Sequence, residues 1–74
     1  MEFDYSKLLG KIKELYGTQE RFANRMGISM VTLSNKINNK SEFTQNQMTM
    51  ACELLEIPLT TISDYFFKPK VKET

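Results

Sequence analysis

QERFANRMGISMVTLSNKI, residues 19–37, reads as two short helices joined by a tight turn at Gly27. Ala23 is small enough to let the two helices cross closely. Gly27 suits the positive φ that ends the first helix, where a residue with a Cβ is strained. Ile28 is an apolar pin under the turn, and Ser29 can accept a hydrogen bond from a free N–H in the next helix's first turn. Leu33 and Ile37, at i and i+4, point the buried face of the second helix inward. Met30, Val31, Thr32, Ser34, Asn35, Lys36 and Asn38 are then left outside, with no acidic side chain among them. This is the layout of a helix-turn-helix whose second helix can lie in a DNA major groove.

Helix, glycine and helix also describe an ordinary αα-hairpin. The joint spacing of Ala23, Gly27, Ile28, Ser29 and Leu33, followed by NNKSEFTQNQM, favours the DNA-binding form. Over residues 3 to 67 the sequence resembles the Cro and lambda-repressor type of helix-turn-helix regulator (XRE-like). The likeness is greatest to small regulators of temperate phages of Gram-positive bacteria. It rests on GTQ-x-x-FA-x-x-x-GIS-x-x-TLS-x-KINNKSEFT, an amphipathic helix and a closing YFF. It implies an all-α, compact five-helix lambda-repressor-like domain over 1–67, with a basic flexible tail over 68–74.

The resemblance also implies a candidate DNA-contacting set. Gln19 matches a glutamine that packs near the reading helix and donates to a phosphate. Ser29, Met30, Val31 and Thr32 open the reading helix, and Asn35 follows one turn later. The positions matching Met30, Val31 and Asn35 contact base edges in related repressors, often through glutamines. Met30 and Val31 depart from that pattern: they can pack on thymine methyls, or instead form a protein-binding surface, whereas Asn35 can pair with adenine. Lys36 can reach guanine or a phosphate. Asn38 and Lys40 fall in the loop that holds a phosphate in the family, a contact that sets register without reading sequence.

Around this centre, a first helix is expected over residues 3 to 16, capped by Asp4, with Phe3 and Leu8 at staple spacing. Tyr5, Leu8, Leu9, Ile12, Leu15 and Tyr16 form its core-facing stripe. Thr18 caps the second helix, which buries Phe22, Ala23 and Met26. The third runs from Met30 to Asn38, after which Asn38 or Asn39 can take left-handed backbone geometry. Thr44 and Gln47 make a T-x-x-Q capping box for the fourth helix, with Phe43 and Met48 as its staple and Met48, Ala51, Cys52 and Leu55 as its buried stripe. Pro58 ends that region, and a short fifth helix over Leu59 to Phe67 starts near Thr60. Phe66 and Phe67 cannot both face the same way, so one of them is free for a subunit contact or for capping the core.

The 74 residues carry a net charge of only +1, but the charge is partitioned. Arg21, Arg25, Lys36 and Lys40 fall in a segment free of acidic residues, and Glu42, Glu53, Glu56 and Asp64 in one free of basic residues. The basic segment coincides with the motif. One cysteine and no histidine speak against a disulfide, a zinc site or a catalytic thiol. No cofactor is expected, no pair of side chains is spaced for acid–base work, and no apolar run is long enough to span a membrane.

The leading expectation is a Cro-like phage repressor in the cytoplasm, not an enzyme, that binds double-stranded operator DNA as a homodimer at least on DNA. The alternative is an antirepressor or modulator that keeps the fold and binds a cognate repressor protein. Near-neutral charge, the apolar Met30–Val31 pair and the YFF end suit that alternative.

Overall fold

The computed structural model describes residues 2–71. The chain is all-helical: α1 (Ser6–Tyr16), α2 (Gln19–Met26), α3 (Met30–Ile37), α4 (Gln45–Leu54) and α5 (Ile62–Phe66), the last entered through a 3-10 turn at Leu59–Thr61. Among the described residues no strand forms; a single antiparallel bridge pairs Phe3 with Pro69.

Three helices start on hydroxyl caps in extended backbone. Thr18 accepts the Arg21 N–H, Ser29 the Thr32 N–H and Thr44 the Gln47 N–H. At Thr44 the capping box closes both ways, because the Gln47 side chain accepts the Thr44 N–H at 3.0 Å. The same three helices end alike, each on a left-handed residue: Gly27 (φ 74°), Asn39 (φ 63°) and Glu56 (φ 56°). Behind each, the following N–H reaches back to a carbonyl in the last turn: Ile28 to Ala23, Lys40 to Asn35 and Ile57 to Cys52. This is the six-to-one closure that satisfies orphan carbonyls. Glycine and asparagine are ordinary occupants of that position, and glutamate is not.

The helices close on one core. Leu8 and Ile12 of α1, Phe22 of α2, Leu33 of α3, Leu55 after α4 and Phe66 of α5 are its largest fully buried side chains. Each stabilises the fold by roughly 1.5–3 kcal/mol relative to exposure. Ala23, with 1 % of its surface exposed, lies where the helices meet. The Tyr16 hydroxyl donates to the Leu54 carbonyl at 3.0 Å, tying the end of α1 to the end of α4.

α1 begins at Ser6 rather than at residue 3. The backbone before it is committed elsewhere: Asp4 N–H donates to the Lys68 carbonyl at 2.7 Å, and Lys70 N–H donates to the Glu2 carbonyl at 3.1 Å. Asp4 is therefore not the helix cap. Tyr5 holds the cap position without a side-chain bond, and Asp4 accepts the Ser6 N–H at 2.8 Å from one residue further out. The Ser6 bonds, hydroxyl first and backbone second, hold the Asp4 carboxyl below its ordinary range despite some desolvation, with smaller help from Lys68 and Lys70. Leu15, placed in the core stripe by periodicity, is exposed. α3 ends at Ile37, one residue short of Asn38, within the usual scatter of helix ends. Of the tail over 68–74, Lys68 to Lys70 lie beside residues 2–4, and residues 72–74 lie outside the described residues. No helix among the described residues is long and apolar enough to cross a membrane.

Candidate functional site

α3 presents its first turn to solvent. Met30 is 40 % and Val31 70 % exposed, an apolar pair standing off the core. The polar groups beside them are occupied with one another: Ser29 Oγ accepts the Thr32 N–H at 3.0 Å and donates to Thr32 Oγ1 at 2.9 Å. The hydroxyls that open α3 are thus bonded within the turn.

Further along α3 the expected outer face changes. Lys36 is buried, not outward, with 7 % of its surface exposed. Its ammonium donates to the Glu42 carbonyl at 2.7 Å and lies 5.9 Å from the centre of the Phe43 ring. A lysine stem buries readily when its head finds an acceptor, and here the acceptor is backbone. Asn38 is turned back on its own helix, its Nδ2 donating to the Ser34 carbonyl at 2.8 Å. Asn35 is half-buried, and its carbonyl accepts the Lys40 N–H at 2.8 Å. Lys40 is exposed. Gln19 is half-buried at the start of α2 and lines a shallow cleft with Leu9, Ile12, Lys13 and Gly17. The Arg21 guanidinium lies beside Gly17 at the end of α1. The structure therefore brings Ser29, Met30, Val31 and Thr32 together at one helix start, while Lys36 and Asn38 are spent on internal bonds.

Sequence reasoning did not foresee a second surface, an open groove of about 310 Å³ lined by Phe3, Tyr5, Glu42, Phe43, Met48, Phe66 and Phe67. The adjacent phenylalanines near the end of α5 were the available signal. Phe66 is fully buried, and Phe67 is 44 % exposed with its ring edge-on to Phe3 at 5.8 Å. Burial, and then the negative charge of Glu42, push the Tyr5 hydroxyl above its ordinary pKa. Burial likewise pushes the Cys52 thiol up, away from the reactive thiolate. Among the described residues, no group of three or more His, Cys, Asp or Glu stands together to hold a metal.

Residues 1–69 match the model of a family described as a protein of unknown function, DUF739. Among curated proteins, none matches the chain. Among solved structures, the chain is similar to the solution structure of the modulator of repression (MOR) of the temperate bacteriophage TP901-1 from Lactococcus lactis. The identity is 44 %, 97 % of each chain is covered, and the TM-score is 0.81.

These findings correct the leading expectation. The family matched is DUF739, not an XRE-like repressor family, and the similar solved protein is a modulator of repression, not a Cro-like repressor. The resemblance misled because closely packed helices around a glycine turn demand the same small, apolar and capping residues whatever the outer face does. The residues that carry function are those facing outward, and there Met30 and Val31 already departed from the repressor pattern.

Proposed function

We propose that this chain, which belongs to the DUF739 family, modulates repression by binding a phage repressor protein, with the exposed start of α3 as its contact. The observation that carries this reading is the Met30–Val31 pair, open to solvent beside hydroxyls already bonded to each other. Apolar surface gains about 25 cal/mol per Å² when it leaves water, which favours a protein face over a hydrated phosphate backbone. Methionine adapts its shape to such a face. The withdrawal of Lys36 supports the same reading, because it removes the one cation that α3 carries. The 44 % identity to a phage modulator of repression supports it from outside the molecule. The chain acts by binding, without a catalytic step, in the cytoplasm of the host cell.

Calorimetric titration of the chain into the purified repressor of the same phage tests the proposal, with operator duplex titrated in parallel. A saturable complex with the repressor, and no salt-sensitive binding to duplex alone, is the expected result. Tight binding to duplex with no repressor complex overturns it.

A further inference from the structure

The aromatic groove adjoins the loop between α3 and α4, on residues that the start of α3 does not use. Its walls are set before anything enters. Tyr5 meets Phe43 edge-on at 5.4 Å, Phe43 meets Phe66 at 5.1 Å, and Phe67 meets Phe3 at 5.8 Å. Rings interlocked in this way hold their rotamers, so little ordering is left to pay for on binding. At about 310 Å³ the groove stands at the small end of ligand sites and suits one large side chain.

Glu42 is the one charged residue lining the groove, and it is exposed. Among the described residues the ion pairs are Lys7 with Asp64 and Lys11 with Glu14, so Glu42 has no cationic side chain paired to it. Lys36 is close but is bonded to the Glu42 carbonyl. Glu42 therefore sets an exposed, unpaired carboxylate at the edge of an apolar floor.

We propose that this groove is a second docking site, which takes an apolar side chain standing next to a lysine or arginine on a segment of the protein partner. The apolar side chain enters between Phe43, Met48 and Phe67, and the neighbouring cation meets the Glu42 carboxylate. An acidic neighbour is repelled there, which gives the groove its selectivity. Only the identity of the partner as a repressor rests on the proposed function; the chemistry of the occupant rests on the groove.

The test is an NMR titration of isotope-labelled chain with the peptide acetyl-Gly-Lys-Phe-Lys-Gly-amide, and with its counterpart carrying glutamates in place of the lysines. The basic peptide should give saturable shifts at Glu42, Phe43, Phe66 and Phe67, with an affinity of about millimolar. The acidic peptide, and the basic peptide on Glu42→Gln, should bind about two- to fivefold more weakly, as expected for one lost charge contact in water. Equal shifts from both peptides, or shifts confined to Met30 and Val31, overturn the proposal. Concentration-dependent dimerisation abolished by Glu42→Gln also overturns it, by placing a second copy in the groove. Saturable groove shifts in a chain that forms no repressor complex uphold the groove and overturn only the proposed partner.

Discussion

The side-chain amide of Asn39 holds Phe3 by both of its backbone groups: Oδ1 accepts the Phe3 N–H at 2.9 Å, and Nδ2 donates to the Phe3 carbonyl at 3.0 Å. The amide thus stands where a neighbouring strand would, while its own residue sits in left-handed geometry at φ 63°. The loop after α3 and the stretch before α1 are fixed to each other across 36 positions of sequence. Two substitutions separate the bonds from the backbone. Asn39→Gly keeps the left-handed turn and loses both bonds, and urea denaturation should show a loss of about 1–2 kcal/mol. Asn39→Ala adds a strained Cβ and should lose about 1 kcal/mol more.

Glu56 is the odd member of the three helix closures, a β-carbon-bearing acid at φ 56° with its side chain exposed. Glu56→Gly should raise stability by about 0.5–1 kcal/mol, less whatever the more flexible unfolded chain takes back. Thermal and urea midpoints should both rise; a fall in either would show that the Glu56 side chain has work of its own.

Lys36 and Lys40 are both cationic and close in sequence, yet the structure treats them oppositely. Lys36→Met leaves the Glu42 carbonyl without its 2.7 Å donor and should cost about 1–3 kcal/mol by urea denaturation. Lys40→Ala, at an exposed position, should stay within about 0.5 kcal/mol of the parent.

Val31→Glu places a charge on a side chain that is 70 % exposed in the free chain. Folding stability should change by no more than about 0.5 kcal/mol. Affinity for the repressor should fall about tenfold or more, because a carboxylate must then be desolvated against an apolar face. Parallel melting curves and repressor titrations measure the two effects separately.

The Asp4 carboxyl titrates below its ordinary value of 3.8 in the folded chain. A lowered folded-state pKa means that its contribution is present above the unfolded value and disappears as pH falls through the folded one. The Ser6 amide should therefore be protected near neutrality and lose protection in strong acid, and Asp4→Asn should flatten that acid-side change in hydrogen exchange.

The capped helix starts at Thr18, Ser29 and Thr44 were legible because one side chain and one nearby N–H decide each of them. The core stripe of α2, Phe22, Ala23 and Met26, was legible from spacing for the same local reason. The start of α1 was not, since it depends on Lys68 and Lys70 arriving beside Asp4 and Glu2 from the far end of the chain. The direction of Lys36 was hidden too: at its place on α3 it reads as a solvated cation, and only the fold brings the Glu42 carbonyl within reach. The groove shares that difficulty, because residues 3, 5, 42, 43, 48, 66 and 67 meet only in three dimensions.

The pairing of Glu2 with Lys70 also brings the two ends of the described residues side by side. A short linker joining residue 71 back to residue 2 would run along an existing contact. Backbone cyclisation by that route should add up to about 4 kcal/mol in the chain-entropy limit. New ends could then be opened in an exposed loop, giving a circular permutant that preserves the start of α3 and offers its new ends for fusion to a reporter.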